Sequence, residues 1–239
     1  FSSKRKFSAV EFEKEGSFIL GAPEFITTDK IILEKVEEYI KQGYRVLLLV
    51  NCKETLSEDM NLKNIKHVAL FVLSDHIREE AKDTIAWFNN NEVEVKIISG
   101  DNPITVSQIE KKVDVPNADN YISLDGLSNE EVIEIANDYV VFGRVSPEQK
   151  AVLIKALKKL GNTVAMTGDG VNDILAMKQA DCSIAMASGS EAARNASHLV
   201  LMDSNFASMP KVVEEGRKVI NNIQRSASLF LMKTLYAMA

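Results

Sequence analysis

The run Thr167-Gly168-Asp169-Gly170-Val171-Asn172-Asp173 packs two carboxylates and an amide into one turn, straight after the apolar stretch Thr163-Val164-Ala165-Met166. Two glycines let the backbone turn sharply and approach a ligand closely. The pattern places Asp169 in the loop and Asp173 in the first turn of the following helix. Such a set of oxygen donors suits a hard cation such as Mg²⁺. A β-turn with an aspartate helix cap would explain one of these carboxylates, though not the whole run.

Three further clusters follow apolar stretches. Ser99-Gly100-Asp101-Asn102-Pro103 comes after Val95–Ile98, and a hydroxyl with free backbone amides beside a helix start makes a phosphate cradle. Asp or Asn before Pro is also an ordinary helix opening. In Arg144-Val145-Ser146-Pro147-Glu148-Gln149-Lys150 the lysine lies about one helical turn beyond the arginine and can act as a point charge on a phosphoryl group, or sit solvated on the surface. Asp75-His76-Ile77-Arg78 is by itself a charged loop. Nearer the start, Phe1-Ser2-Ser3-Lys4-Arg5-Lys6 sets an aromatic ring beside positive charge, which can stack a purine and attract phosphates or form an exposed basic strand end. Gly21-Ala22-Pro23-Glu24 is a tight turn by composition. Arg45, after Gly43-Tyr44, either reaches a ligand or flanks a strand. His67, His76 and His198 show no metal-ligand spacing. Cys52 and Cys182 form no CxxC pair and read as reduced and structural.

The elements that must position these residues fall into two styles. Residues 1–66 carry short strand-like runs, Phe7–Phe12, Ser17–Leu20 and Arg45–Val50, around one helix near Ile31–Gln42, which predicts a small α+β unit. The polar stretch Asn51–Lys66 reads as a linker. From His67, apolar runs alternate with amphipathic segments. His67–Leu73, Val95–Ser99, Val140–Arg144, Thr163–Asp169 and Cys182–Met186 predict strands of one parallel sheet in a three-layer α/β domain, with His198–Met202 following. Ligands of such domains bind at the carboxyl ends of strands, where the clusters after Leu73, Ile98, Gly143 and Met166 fall. Ser146 with Gln149, and Ser128 with Glu131, read as capping boxes, with Gly161 as a helix stop. A long last helix from about Met209 places Val212, Val219, Ile223, Ala227 and Phe230 on one face. From Ser226 it is apolar enough to be the root of a transmembrane helix or an amphipathic helix on a soluble core, but too short to span a bilayer.

The 239 residues allow one large domain or two modest ones, and 46% hydrophobic with 26% charged residues is a globular balance. A net charge of −6 argues against nucleic acid as a partner. The start at Phe1 and the apolar end suggest a piece of something longer.

Taken in order, Phe1-Ser2-Ser3-Lys4-Arg5-Lys6, Gly21-Ala22-Pro23-Glu24, Gly43-Tyr44-Arg45-Val46, Asp75-His76-Ile77-Arg78, Ser99-Gly100-Asp101-Asn102, Phe142-Gly143-Arg144-Val145-Ser146-Pro147-Glu148-Gln149-Lys150 and the Thr167–Asp173 run resemble the P-type ATPase family over essentially the whole chain. The resemblance implies a partial nucleotide-binding domain over 1–66, a haloacid-dehalogenase-like phosphorylation domain over 67–208, and over 209–239 a stalk helix leading to a transmembrane helix. It implies that Phe1 stacks on adenine and Arg45 contacts the nucleotide. Ser99, Gly100 and Asp101 would hold the phosphate region, with Arg144 on the nucleotide side. Lys150 would neutralise the transferred phosphoryl group, Asp169 would bind Mg²⁺, and Asn172 and Asp173 would shape that site. ATP and Mg²⁺ are the implied cofactors. The implied whole is a cation pump in the cell membrane, with this region cytoplasmic.

Three departures stand out. The family's phosphorylation motif, Asp-Lys-Thr-Gly-Thr, is absent, and Thr28-Asp29-Lys30-Ile31 is only an echo in the wrong domain. Leu20 stands where many members have Lys before Gly-Ala-Pro-Glu, and Ser99 replaces the usual Thr. Two rival readings remain: a soluble phosphatase of the same fold, which would need an Asp-x-Asp nucleophile that is not present, and a non-catalytic nucleotide-binding module.

Overall fold

The structure is a computed structural model that describes residues 6–53, 64–74 and 76–238. In chain order it runs β1 (Phe7–Phe12), β2 (Gly16–Gly21), α1 (Pro23–Ile26), α2 (Lys30–Lys41), β3 (Arg45–Cys52), β4 (Ile65–Leu73) and α3 (Ala81–Asn90). There follow β5 (Ile97–Ile98), α4 (Pro103–Lys112), β6 (Tyr121–Ser123), α5 (Asn129–Ile135), β7 (Val141–Gly143) and α6 (Pro147–Lys159). The last elements are β8 (Ala165–Gly168), α7 (Ile174–Met177), β9 (Cys182–Met186), α8 (Glu191–Ala196), β10 (Leu199–Leu201) and α9 (Met209–Met238). The chain forms two compact units. One takes the chain up to Ile77 with Lys96–Leu127 and Asp138–Val145; the other takes Arg78–Val95, Ser128–Asn137 and the chain from Ser146 onward.

The first unit holds a four-stranded antiparallel sheet, β1-β2-β3-β4. Its inner face carries Ile19, Leu48, Val50 and Cys52, packed with Ile26. The strand β3 alternates buried Val46, Leu48, Val50 and Cys52 with less buried neighbours, the period-two pattern of a sheet with one covered face. The helix α2, capped by Asp29 on Ile31 N–H at 2.9 Å, lays Val36 and Ile40 against Val46.

The strand β4 corrects a sequence expectation. His67–Leu73 reads as a buried parallel strand, yet β4 pairs antiparallel with β3 at the sheet's edge. None of its residues is buried, and Val68, Phe71, Val72 and Leu73 are exposed. A short apolar run looks the same in sequence whether both faces are covered or one edge is open.

The same unit contains a parallel sheet, β5-β7-β6. Val141 and Phe142 at its centre are fully buried. Gly143 lets α4 approach: a Cβ there would meet Pro103 Cβ and N at 2.5 Å. The second unit contains another parallel sheet, β10-β9-β8. Phe88, Ile184, Leu201 and Met209 form one of its buried clusters. The expected parallel strands other than His67–Leu73 are therefore present, divided between two three-stranded sheets. Both capping boxes form, Ser128 with Glu131 and Ser146 with Gln149, and Gly161 ends α6 at φ 90°. In α9 only Met209 is buried, while Leu229, Phe230, Leu231 and Leu235 are exposed. No helix of the described residues is long and apolar enough to cross a membrane.

Burial on α4 has a pH consequence. Desolvation pushes the Glu110 carboxyl up from 4.5 to about 7. The folded state keeps this proton where the unfolded chain has lost it, so the contribution of Glu110 to stability is greatest below pH 4.5 and falls as pH rises towards 7. The Glu110→Gln variant stays neutral throughout. Amide hydrogen exchange of the first unit should show it no more stable than the parent near pH 4.5, and more stable at pH 8 by up to about 3 kcal/mol.

Candidate nucleotide and metal site

In the second unit the loop after β8 is organised around a buried ion pair. Lys150 Nζ donates to Asp173 Oδ1 at 2.6 Å, and the two side chains are only 14% and 11% exposed. Lys150 is set by the capping box that starts α6, since it occupies that helix's first turn. Asp173 ends a 3₁₀ turn over Val171–Asp173, and its Oδ2 accepts from Gly170 N–H at 3.2 Å. Gly168 makes room for it: a Cβ on Gly168 would lie 2.6 Å from Asp173 Cβ. The sequence expects Asp173 to shape the site. Here it holds Lys150 and closes the Gly170 turn.

Asp169 differs in kind. It is exposed, and its carboxylate has no hydrogen bond or ion pair among the described residues. Only its backbone is tied down, the carbonyl accepting from Ser190 N–H at 2.7 Å. Arg194 supports that contact by donating to the carbonyls of Ala187 at 2.9 Å and Gly189 at 2.5 Å. Asn172 is exposed. Among the described residues no cluster of three or more His, Cys, Asp or Glu forms a metal cage. The donor set fits an ion that takes one or two protein carboxylates and keeps its waters, as Mg²⁺ does, with Asp169 as the free carboxylate.

In the first unit, Arg45 and Arg144 converge on the Ser99–Asn102 loop. Arg45 Nη2 lies 3.2 Å from Asp101 Oδ1. Ser99 Oγ accepts from Asp101 N–H at 3.1 Å, and Ser99 N–H donates to Phe142 O at 2.9 Å. Asn102 is spent on capping α4, accepting from Ile104 N–H at 2.9 Å. Gly100 is exposed, and the nearest atom to a Cβ there would be Val145 O at 4.0 Å, so packing does not demand glycine. Arg144 has φ 54°, a costly left-handed backbone for a non-glycine residue, and its N–H donates to Asp101 O at 2.8 Å. A cavity of about 410 Å³ is bordered by Arg144, Glu24, Phe25, Ile104, Tyr121 and Ser123. Phe1 lies outside the described residues. Leu20 is part-exposed on the outer sheet face.

Thus Lys150, Asp173 and Asp169 share one loop system in the second unit, and Arg45, Ser99, Gly100, Asp101 and Arg144 share another in the first. Sequence reasoning missed Ser190 and Arg194, whose only signal is a small-residue run after a strand, and gave Glu24 no partner. The contrast between the two aspartates is testable through Trp87, the single tryptophan, which belongs to the same unit. Asp173→Ala strands a buried ammonium and should cost about 3–5 kcal/mol in urea unfolding followed by Trp87 fluorescence. Asp169→Ala removes an unpaired surface carboxylate and should change stability by no more than about 0.5 kcal/mol.

Comparison with known proteins identifies the family. Residues 5–181 match the family model described as "Hydrolase: haloacid dehalogenase-like hydrolase". The chain is 44% identical over 239 residues to the Streptococcus pneumoniae protein named "Probable cation-transporting ATPase exp7", covering 99% of this chain and 30% of that one. It is 40% identical over 238 residues to "Calcium-transporting ATPase CtpE" of Mycobacterium tuberculosis, covering 99% of this chain and 30% of that protein. It is 32% identical over 204 residues to "Calcium-transporting ATPase 1" of Saccharomyces cerevisiae, covering 82% of this chain and 21% of that one. The chain thus spans at most about 30% of the length of these curated relatives. On the extent of the family match, the chain belongs to the haloacid dehalogenase-like hydrolase family, as a segment similar to the P-type cation-transporting ATPases.

Proposed function

We propose that this chain supplies the nucleotide-handling and phosphoryl-transfer machinery of a P-type ATPase, which couples ATP hydrolysis, through an aspartyl-phosphate, to cation transport. The observation that carries this reading is the exposed, unpaired carboxylate of Asp169 on the loop that also holds the buried Lys150–Asp173 pair. The names of the similar proteins support it.

In this reading Arg45, Ser99, Gly100, Asp101 and Arg144 hold the nucleotide, and Phe1 stacks on adenine. Arg45 and Arg144 are the two cations at the Ser99–Asn102 loop, and either can carry a charge-assisted hydrogen bond to an anionic or polar group of the ligand. Lys150 keeps ammonium hydrogens beyond the one given to Asp173, and these can neutralise a phosphoryl oxygen. Asp169, with Asn172 beside it, would hold Mg²⁺, which when bound offsets charge on the transferring group. Residues 1–66 serve as part of the nucleotide-binding domain and 67–208 as the phosphorylation domain. Residues 209–239 form the stalk, whose exposed apolar end on α9 continues towards the membrane. The region faces the cytoplasm of a cell-membrane protein, and its partners are ATP and the transported cation rather than nucleic acid.

Phosphoenzyme formation from labelled ATP in the full-length pump tests this assignment. Asp169→Asn should abolish it while leaving the fold intact. A normal phosphoenzyme level at the ordinary Mg²⁺ requirement would sink the assignment. The 239-residue chain alone has no Asp-Lys-Thr-Gly-Thr run and should acquire no hydroxylamine-sensitive label.

A further inference from the structure

The Gly21–Glu24 turn joins β2 to α1. The structure places its last residue on Arg144. The Glu24 carboxylate pairs with Arg144 Nη2, and the next residue, Phe25, presents its ring to the same guanidinium, 5.4 Å from Arg144 Cζ. The remaining polar contact of the guanidinium among the described residues is the long one from Nη1 to Gly100 O, at 3.4 Å. Arg144 is nevertheless held tightly, its side chain only 11% exposed while Glu24 is 35% exposed.

The scaffold behind Glu24 is rigid. Pro23 and Ile26 are buried, Thr27 N–H donates to Pro23 O at 2.9 Å, and Ala22 N–H donates to Lys6 O at 3.1 Å. The turn therefore presents Glu24 and Phe25 outward from a fixed base. A flexible arginine would lose rotamer freedom on gripping a ligand, and a carboxylate that fixes its plane beforehand removes that cost. Arg45–Asp101 is the mirror arrangement nearby, with the cation on β3 and the carboxylate on the loop.

We propose that Glu24 is the positioning residue for Arg144. It fixes the guanidinium plane against Phe25 so that the free N–H groups are set for the nucleotide before it arrives. This rests on the reading of Arg144 as a nucleotide contact, and the experiment separates the two. ATP binding to the 239-residue chain is measured by calorimetry for the parent, Glu24→Ala, Arg144→Ala, the double variant and Glu24→Gln. Glu24→Ala should weaken binding about tenfold, the scale of one hydrogen bond to a charged group. Arg144→Ala should weaken it at least as much, and Glu24→Ala should add nothing in that background, whereas a merely structural role would still add. Glu24→Gln, which keeps an acceptor at the same place, should recover most of the affinity. If Arg144→Ala weakens binding and Glu24→Ala does not, or if the two losses add, the positioning role is overturned and the nucleotide reading stands. Tighter binding by Glu24→Gln would make Glu24 a competing anion and also overturn it. If the parent does not bind, or Arg144→Ala binds as the parent does, the nucleotide reading of this cluster falls and the proposal falls with it.

Discussion

The contact between Lys150 and Asp173, 2.6 Å apart and nearly out of solvent, holds the second unit's loops in register. Taking two charges from water is costly, and the attraction repays it only with close geometry and satisfied remaining groups. Both conditions hold on the carboxylate side, where one oxygen takes the ammonium and the other takes Gly170 N–H. The pair therefore ties the first turn of α6 to the loop after β8. Gly168 is part of the same arrangement, because any side chain there would strike Asp173. Asp169, four residues before Asp173 on the same loop, is exposed.

The first unit solves a similar problem with strain. Arg144 sits at φ 54°, which costs of order 1–3 kcal/mol for a residue with a side chain. Its N–H bond to Asp101 O, the ion pair to Glu24 and the Phe25 ring together offset that cost. The backbone choice aims the side chain across the Ser99–Asn102 loop, where Gly100 O accepts from it. A relaxed β-region backbone at Arg144 would carry the guanidinium elsewhere.

Local chemistry was legible in the sequence where it was self-contained. The capping boxes at Ser128 and Ser146, the stop at Gly161 and the helix from Met209 each depend on residues a few positions apart, and each is present. The Thr167–Asp173 run is recognisable because a turn with a helix cap accounts for one of its aspartates but not for the whole run. What could not be read was pairing at long range. Nothing local distinguishes His67–Leu73 as an antiparallel edge strand from a buried parallel one, since the difference lies in what covers its faces. Tyr121–Ser123 is too short a strand to show a period. Glu24 and Arg144 are 120 positions apart, and their meeting follows from how β2 and β7 are placed, not from any pattern along the chain. The sequence separates Asp169, in the turn, from Asp173, in the first turn of the next helix, but not the burial of Asp173 on Lys150.

That separation has an electrostatic consequence. Asp173 takes up the charge of Lys150 and the Arg194 guanidinium is tied to the carbonyls of Ala187 and Gly189, so that the exposed Asp169 carboxylate has no partner among the described residues. In the proposed function a divalent ion held by Asp169 would reverse the local sign and so favour an anionic phosphoryl group there. Lys150 still has donors to offer at that stage, because an ammonium carries three and Asp173 engages one. The buried pair thus serves the fold, while the carboxylate of Asp169 is left free of structural duty.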